Sequence, residues 1–494
     1  MRLNFAGIDF TQDLSPLINE FLTAADIKKT RQDEAKTQEN DEEMRFITDE
    51  EHFEIYFEDE LVCSEKLENA TGVFRSDYRN QLMRAVYRIL SEKLDISLPW
   101  GILTGVRPTK LLLDKMEEGK GNDGKASCIS FMRNQYYCSE EKAELAYTVA
   151  EKEMRILKEL DYARGYSLYV GIPFCPSICN YCTFGSHPIN RYENLVEPYI
   201  EALCKEIEAT KNLIKDKKLQ TVYFGGGTPT AVSAEQLRRV IHKVKECFDF
   251  SGVREFTVEA GRPDSISMEK LKMLKEEGVG RISVNPQTMR ERTLEIIGRK
   301  HTAGQTVKAF NMAREAGFDN INMDLIAGLS GENEEDMKYT LSEIEKLNPD
   351  SITVHTLALK RAARLNTESE NFVGLEASGV GNMVEYAAKY MKAHDYKPYY
   401  MYRLKNQTEN LENVGYAREG KEGYYNILIM EEKQQILALG AGASSKFVYE
   451  NKEELDAAKS RMIKRFGRIE NVKSVVDYVS RIDEMIERKL NAVK

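Results

Sequence analysis

The sequence predicts an α/β protein whose central part, residues 165–404, is a partial (β/α)6 barrel. Three observations predict this fold. From residue 166 onward short strand-like runs alternate with helical stretches, and such alternation implies parallel strands. Six of these units occur, fewer than the eight of a closed barrel. The pattern changes on both sides, which predicts an N-terminal accessory α+β domain at 1–160 and a small C-terminal extension at 405–494.

Hydrophobic spacing places the strands and helices of the barrel. Strands are expected at 167–171, 221–225, 255–260, 281–285, 320–326 and 351–357. Helices are expected at 192–214, 233–248, 267–277, 303–316, 333–346 and 377–394. In barrels of this kind the chemistry lies at the C-terminal ends of the strands. Unusual residues that follow the strands are therefore candidates for a functional site.

Elements are also predicted in the two flanking regions. The N-terminal region is expected to hold a half-exposed strand at 53–58 and helices at 78–94 and 138–160. The C-terminal region is expected to hold strands at 396–403, 424–430 and 436–448 and a helix at 472–492. We expect this last region to close on the barrel.

The net charge of the chain comes from one segment. The protein has 70 Lys and Arg residues against 80 Asp and Glu residues, a formal charge of -10. Residues 31–60 contain 13 acidic and 3 basic side chains, a balance that equals the charge of the whole protein. No large basic surplus exists elsewhere, which excludes binding of nucleic acid by phosphate neutralisation. The segment is expected to be a solvated face or loop of the accessory domain, or a docking surface for a basic redox partner.

The N-terminal sequence and the cysteine content indicate a cytoplasmic protein. The first ten residues include Asp9 and lack the apolar run of a signal peptide, and no window approaches the 18 apolar residues of a membrane span. The eight cysteines should then be reduced. Five of them are scattered and are expected to be small buried hydrophobic residues, namely Cys63, Cys128, Cys138, Cys204 and Cys247.

The other three cysteines follow the first barrel strand with the spacing C-x₃-C-x₂-C, at Cys175, Cys179 and Cys182. Three thiolates suit a [4Fe–4S] cluster in which one iron stays open to bind a small chelating molecule. A zinc site is the alternative, with His187 as its fourth ligand, because structural zinc takes four ligands. Three incidental core cysteines are the remaining possibility.

Three successive glycines end the second strand, in the run Gly225-Gly226-Gly227-Thr228-Pro229. Without Cβ atoms the backbone can approach a ligand closely and offer its N–H and C=O groups. A tight turn explains a lone glycine triplet equally well. One βα unit after the cysteine motif, the triplet points to a binding site.

Together the two motifs resemble the radical S-adenosylmethionine (SAM) superfamily. The order of the later strand ends resembles the oxygen-independent coproporphyrinogen III oxidase family, which includes haem chaperones. This likeness covers about residues 165–450, and the downstream segments, with the N-terminal domain, are similar to the HemZ-type branch. The segments that carry it are Glu259 to Asp264, Arg281 to Thr288, Gly298 to Thr302, Asn322 to Leu329, His355 to Arg361, Asn413 to Ala417 and Leu439 to Ser445.

The resemblance implies roles for individual residues. Cys175, Cys179 and Cys182 would hold the cluster, whose open iron binds SAM. Tyr169 matches a tyrosine placed near the SAM methionine and is the catalytic candidate. The implied SAM contacts are Gly226, Gly227, Thr228, Glu259, Gln287, Arg299 and Asp324. Among them Arg299 could pair with the SAM carboxylate and Asp324 could take the ribose hydroxyls.

Three positions depart from the family pattern. Phe184 stands where the oxidase branch has a further cysteine, and Gly171 stands where histidine is frequent. The run Glu259-Ala260-Gly261-Arg262-Pro263-Asp264 stands in place of the Glu-x-Asp-Pro motif of relatives.

The activity implied by the resemblance is oxidative decarboxylation of two propionates of coproporphyrinogen III to vinyl groups, giving protoporphyrinogen IX. It implies a tetrapyrrole substrate and an electron donor such as flavodoxin or ferredoxin. Cationic residues expected near the barrel mouth are Lys360, Arg361, Arg403 and Lys405. Two alternatives stay open. One is a haem chaperone with His301 or His355 as a haem ligand, and the other is a radical SAM enzyme acting on another tetrapyrrole, such as in haem breakdown.

Overall fold

A computed structural model describes most of the chain as two compact units, Met1–Thr148 and Val149–Lys494. The described residues are 1–31, 43–68, 74–105, 107–119, 124–182, 185–214, 216–357, 379–404, 411–448 and 466–492. The domain division predicted from sequence, at 160 and 404, stays a prediction.

The first unit combines one sheet with helices. Its elements are β1 (Arg2–Gly7), α1 (Thr11–Arg31), β2 (Glu43–Thr48), β3 (His52–Phe57), β4 (Glu60–Lys66), α2 (Phe74–Leu94), α3 (Thr109–Glu118) and α4 (Lys125–Tyr136). The sheet order is β1-β2-β3-β4, parallel between β1 and β2 and antiparallel beyond. Alternate side chains of β2 and β3 are buried, so one face of the sheet packs on the helices. The strand and helix predicted near 53–58 and 78–94 are confirmed.

Helix α5 (Glu140–Leu160) crosses the boundary between the units, and the second unit continues with alternating strands and helices. The first part comprises β5 (Gly165–Ile172), β6 (Phe174–Cys175), β7 (His187–Pro188), α6 (Glu193–Thr210), β8 (Lys218–Gly226), α7 (Ala234–Cys247), β9 (Glu255–Glu259), α8 (Met268–Glu276), β10 (Arg281–Ser283), α9 (Glu291–Ile296), α10 (Ala303–Glu315), β11 (Ile321–Ala327), α11 (Glu334–Leu347), β12 (Ser351–Thr356) and α12 (Val380–Ala393). The second part comprises β13 (Lys397–Tyr402), β14 (Asn413–Ala417), α13 (Tyr424–Glu431), β15 (Gln435–Leu439), β16 (Ser444–Val448), β17 (Phe466–Glu470), α14 (Val475–Ser480) and α15 (Ile482–Ala492).

The six strands predicted for the barrel are confirmed as neighbours in one sheet. Its order is β13-β14-β12-β11-β10-β9-β8-β5-β15-β16-β17. All pairings from β12 to β5 are parallel, and β15 adds a seventh parallel strand beside β5. The residues after position 396 therefore extend the sheet at both edges, antiparallel beyond β12 and beyond β15.

One predicted strand is wrong, because residues 424–430 form helix α13. A short apolar run has no period that separates a buried strand from a buried helix. Here tertiary contacts select the helix. The buried Glu255 carboxylate accepts the backbone N–H groups of Tyr424 and Tyr425 in the first turn, and Ile427 and Leu428 pack into an apolar cluster.

Two other C-terminal predictions are corrected in detail. The strand expected at 436–448 is two strands, β15 and β16, because Gly440 and Gly442 adopt φ of 100° and 71° between them. The helix expected at 472–492 is two helices, α14 and α15. Strands β14 and β17 were not predicted.

A buried ion pair connects the C-terminal helix to the barrel. The Lys489 Nζ on α15 lies 2.7 Å from the Glu206 Oε1 on α6, and both side chains are fully buried. The Glu206 carboxylate also accepts hydrogen bonds from Tyr478 Oη (2.6 Å), Asn471 Nδ2 (2.8 Å) and the backbone N–H of Gly440 (2.8 Å). Such a pair persists because its remaining polar atoms are satisfied.

None of the helices in the described ranges is long and apolar enough to span a bilayer.

The buried pair makes Lys489 a strong determinant of stability. Lys489→Met leaves the Glu206 charge buried without its cation, and we expect a loss of about 3 kcal/mol, at the low end for broken buried pairs because three other donors remain. Urea denaturation followed by far-UV circular dichroism measures this loss. Fluorescence of the only tryptophan, Trp100, reports the first unit separately.

The matched control is Lys205→Met. Lys205 and Asp483 lie 2.6 Å apart and join the same two helices, but their side chains are 54% and 81% exposed. We expect a loss of less than about 1 kcal/mol from this surface pair. Equal losses in the two variants would contradict the importance of the buried pair.

Candidate functional site

The three clustered cysteines lie on the loop that follows β5, and each thiol has a different neighbour. Cys175 Sγ is 3.5 Å from Thr228 Oγ1. Cys179 Sγ is 3.5 Å from a guanidinium nitrogen of Arg262. Cys182 Sγ is 3.9 Å from the Ser186 hydroxyl. The thiols therefore face distinct surroundings on one compact loop.

The end of the glycine strand β8 is packed directly against this loop. Gly227 N–H donates to Ile172 O (2.9 Å) and Thr228 N–H donates to Phe174 O (2.7 Å). A Cβ atom at Gly227 would lie 2.6 Å from Phe174 O, which is too close for any other residue. Gly227 is thus needed for backbone packing beneath the cysteines.

The far side of the cysteine loop is tied to the segment after α9. Asn180 donates its backbone N–H to Ile297 O (3.0 Å) and its side-chain amide to Ile296 O (2.9 Å). Gly298 follows with φ 74°, and a Cβ there would lie 3.1 Å from Asn180 Oδ1. The loop is therefore held between two parts of the barrel.

The zinc alternative and the cluster differ in the ligands that they need. A structural zinc ion takes four ligands, and in the described part of the chain no group of three or more His, Cys, Asp or Glu side chains is arranged around one metal position. His187, the proposed fourth zinc ligand, has its Nε2 3.4 Å from Lys473 O. A [4Fe–4S] cluster instead takes one thiolate per iron. Burial raises the pKa of the Cys175 thiol to about 11, so iron binding would displace its proton.

A stack of three tyrosines lies beside the ends of β5 and β8. Tyr425 of α13 stacks on Tyr223 with ring centroids 4.4 Å apart and on Tyr169 at 6.2 Å. The Tyr169 Oη would be 3.3 Å from a Cβ at Gly226, whose φ is 108°. The C-terminal region thus supplies an aromatic side chain to the candidate site.

Glu259 ends β9 and joins the tyrosine stack to the next strands. Its carboxylate accepts a hydrogen bond from Tyr223 Oη. Burial raises the pKa of Glu259 to about 7, although this hydrogen bond acts in the opposite direction. Gly225 leaves room for the carboxylate, since a Cβ there would lie 3.1 Å from Glu259 Oε2.

Asp324 on β11 is held by polar neighbours. Asn322 Nδ2 donates to Asp324 Oδ1 (2.7 Å), and His355 Nε2 lies 3.8 Å from Asp324 Oδ2. Burial alone would raise the pKa of Asp324, but His355 and Asn322 outweigh it and hold the pKa below its ordinary value. Asp324 is therefore an ionised hydrogen-bond acceptor within β11.

Arg299 and Gln287 carry buried polar atoms that lack a hydrogen-bond partner within the described ranges, Arg299 Nε and Gln287 Oε1. Both residues are less than one-tenth exposed. Gln287 adopts φ 67° and its backbone N–H donates to Asp324 O (2.9 Å), so it is held beside β11. A buried polar atom without a partner is costly, and a polar ligand at this position would supply the missing hydrogen bonds.

The residues predicted for the site come from several neighbouring parts of the sheet. Gly226 and Glu259 end β8 and β9, whereas Tyr169 and Asp324 lie within β5 and β11. Gln287 and Arg299 lie on the segments that follow β10 and α9. Six neighbours of these residues were not predicted from the sequence, namely Asn180, Tyr181, Tyr223, Arg262, Asn285 and Tyr425. The signal for Arg262 was its departure from the family motif, and Tyr223 faces the same side of its strand as Gly225. Tyr425 was not predicted because it lies on helix α13, in a segment that was expected to be a strand.

Other candidates differ in their surroundings. His301 is buried, and its ring nitrogens lack hydrogen-bond partners in the described part of the chain. Burial lowers its pKa to about 3, with Arg299 and Arg262 adding to the effect. Arg403 is buried. Lys360, Arg361, Lys405 and Phe184 lie outside the described residues.

The raised pKa of Glu259 predicts a pH effect on stability. Between its ordinary value of 4.5 and about 7 the folded chain keeps a proton that the unfolded chain releases, so stability falls as pH rises. Glu259→Gln removes this decline. Between pH 5 and pH 8 we expect the free energy of unfolding of the variant to fall by up to about 3 kcal/mol less than that of the unmodified chain. Urea midpoints of the cluster-free protein at both pH values measure the difference.

The control is Glu276→Gln, at a side chain that is 66% exposed on α8. It should keep the pH dependence of the unmodified chain. If Glu259→Gln keeps the same pH dependence, that result would contradict a raised pKa for Glu259.

Comparisons with known proteins identify the family to which the chain belongs. The sequence model of the radical SAM superfamily matches residues 169–344. The oxygen-independent coproporphyrinogen-III oxidase-like protein HemZ of Bacillus subtilis is 41% identical over 374 residues, which cover 75% of this chain and 74% of HemZ. The heme chaperone HemW of the same organism is 33% identical over 280 residues, 56% of this chain and 70% of HemW.

The solved structure of coproporphyrinogen III oxidase (HemN) from Escherichia coli, described as a radical SAM enzyme, has the same fold. Its TM-score is 0.51 at 22% identity, covering 66% of this chain and 72% of HemN. The three separate thiols and the unpartnered atoms of Arg299 and Gln287 fit the [4Fe–4S] cluster and SAM that this family implies. The chain belongs to the radical SAM superfamily and, within it, to the family of oxygen-independent coproporphyrinogen-III oxidase-like proteins.

Proposed function

We propose that the chain is an oxygen-independent coproporphyrinogen III dehydrogenase, which converts two propionates to vinyl groups and forms protoporphyrinogen IX. Each conversion releases CO₂, transfers one hydrogen atom to a 5′-deoxyadenosyl radical and passes one electron to a one-electron acceptor. The observation that carries this proposal is the extent of the likeness to the coproporphyrinogen-III oxidase-like relative. That likeness covers three quarters of both chains and runs well beyond residues 169–344, which match the superfamily as a whole. When bound, the cluster and SAM supply a 5′-deoxyadenosyl radical that can take a hydrogen from the propionate β-carbon.

The side chains of the site would bind and orient SAM. The Arg299 guanidinium, buried with an unpartnered Nε, suits the SAM carboxylate. Ionised Asp324 suits the ribose hydroxyls as a hydrogen-bond acceptor. Glu259 and Gln287 add an acid and an unpartnered amide oxygen beside them.

The tyrosine stack would close the site on the side of Gly226. Tyr169, Tyr223 and Tyr425 stack beside the glycine strand and exclude water from that side. A radical intermediate needs such exclusion, because solvent access allows side reactions. Tyr169 would lie near the methionine part of SAM.

The substrate is a polycarboxylate, and the charge distribution is compatible with it. The acidic surplus of residues 31–60 lies outside the barrel sequence, and the rest of the chain is balanced. The cations proposed for its carboxylates are Lys360, Arg361, Arg403 and Lys405, of which Arg403 is buried. A flavodoxin or ferredoxin is the proposed electron donor.

The proposed activity is tested by anaerobic reconstitution of the cluster, followed by incubation with SAM, a chemical reductant and coproporphyrinogen III. Mass spectrometry should show 5′-deoxyadenosine together with loss of two carboxyl groups from the tetrapyrrole. Cleavage of SAM with the tetrapyrrole unchanged would reject this substrate and leave the radical SAM assignment intact.

A matched pair of cysteine variants separates cluster chemistry from general damage. Cys179→Ala removes a proposed cluster ligand and should abolish both iron uptake and 5′-deoxyadenosine formation. Cys204→Ala alters a half-buried thiol on α6, away from the loop, and should retain both. Iron content and product yield are measured on the same preparations, and equal results for the two variants would contradict the ligand assignment.

A haem chaperone is the second candidate function. It is favoured by the match to the heme chaperone HemW over 70% of that protein. His355 and Tyr402, whose Nδ1 and Oη lie 3.3 Å apart, provide two side-chain types that ligate haem. Haem added to SAM-free protein should give a saturable Soret band that His355→Ala weakens if the chain is a chaperone. Absence of a saturable band would leave the dehydrogenase proposal.

A further inference from the structure

Arg262 is a buried cation that joins the segment after β9 to the cysteine loop. It is 3% exposed. Its Nη1 lies 3.5 Å from Cys179 Sγ and 3.3 Å from Ser177 O, and its Nη2 donates to Ser177 Oγ at 3.1 Å. The guanidinium therefore contacts the loop between two of the three clustered cysteines and also touches one thiol.

Asp264 holds this guanidinium in one orientation. Arg262 Nε donates to Asp264 Oδ1 (2.9 Å) and Nη2 donates to Oδ2 (2.7 Å). Such a two-point pair fixes both the plane and the position of the guanidinium. Arg262 is thus a fixed charge whose remaining donors face the loop.

Cys179 is the most buried of the three thiols, at 8% exposed. An N–H donor 3.5 Å from a neutral sulfur makes a weak contact, and the same contact is strengthened when the sulfur is a thiolate. Metal binding converts the thiol to the thiolate. The contact from Arg262 is therefore arranged for the metal-bound state of the loop.

We propose that Arg262 is a positioning residue of the cluster site, which holds the Cys179 thiolate by a charge-assisted hydrogen bond and raises the reduction potential of the cluster. Hydrogen bonds to the sulfurs and local charge set the potentials of such clusters. One-electron reduction adds a negative charge, and a nearby buried cation stabilises it. The proposal rests on the cofactor of the family and not on the proposed substrate, so its failure and the failure of the proposed activity are distinguishable.

A purely structural role is the competing explanation, since Arg262 also holds Ser177. Three variants separate the two roles. Arg262→Gln removes the charge, Arg262→Lys keeps the charge without the two-point pair, and Ser177→Ala removes one loop contact while leaving the thiol contact. Arg281→Gln is the control for loss of a buried arginine. Arg281 is the first residue of β10, at the amino end of the strand, and it donates to Asn320 and Lys421.

The measurements are iron content after reconstitution and the midpoint potential of the cluster, read by electron paramagnetic resonance in a redox titration without SAM. Arg262→Gln should favour the oxidised cluster about tenfold, a midpoint lower by about 59 mV for one electron. Arg262→Lys should recover most of this shift. Ser177→Ala and Arg281→Gln should keep the potential of the unmodified protein.

Each remaining outcome decides the proposal. If Arg262→Gln takes up iron fully and keeps the midpoint potential, the proposal is overturned. If it takes up little iron while the cluster-free protein keeps its circular dichroism spectrum and urea midpoint, and Arg262→Lys restores uptake, the proposal is supported. If the cluster-free variant is itself unfolded, or if Ser177→Ala shifts the potential as far as Arg262→Gln, Arg262 has only a structural role and the proposal fails.

Discussion

Parallel pairing of seven neighbouring strands is the constraint on which the candidate site depends. Because β15, β5, β8, β9, β10, β11 and β12 run in one direction, their carboxyl ends meet at one edge. The cysteine loop, the glycine strand and the acids Glu259 and Asp324 come from different strands. They are neighbours only because the strand order equals the chain order from β5 to β12. Reversal of one strand would move its residue to the other end of the barrel.

The C-terminal residues are part of this constraint. Strand β15 covers the edge of β5 that would otherwise be exposed beside the cysteine loop. Tyr199 Oη donates to Gly171 O (2.7 Å) and accepts from the Ala441 N–H (3.0 Å), so the turn after β15 is tied to the end of β5. The same turn reaches the Glu206 carboxylate through the N–H of Gly440. The strand that presents the cysteines is therefore held from the C-terminal side.

The sequence was sufficient to predict the repeating strand–helix units and the motifs that lie within a single loop or strand. The six barrel strands follow from alternation, and the cysteine and glycine motifs each lie within one loop or strand end. It was insufficient where distant contacts decide. Residues 424–430 are apolar enough for a strand, yet the Glu255 carboxylate and an apolar cluster make them a helix. The Glu206 and Lys489 partners lie 283 residues apart, and no spacing rule connects them. Tyr425 lies on helix α13, so its place beside Tyr169 and Tyr223 could not be predicted either.

The charges around Cys179 show how the site separates two tasks. Arg262 and Arg299 are both buried cations. The positive charge of Arg299 acts on Arg262, and both guanidinium groups interact electrostatically with Cys179. Arg262 is paired with a carboxylate. Arg299 contacts Asn285 O and Tyr181 Oη and, among the described residues, forms no ion pair with a carboxylate. His301 beside them stays neutral at physiological pH. In the part of the chain that the structure describes, Arg299 therefore has no carboxylate that competes with the anionic ligand proposed for it, whereas the charge of Arg262 is held in place by Asp264.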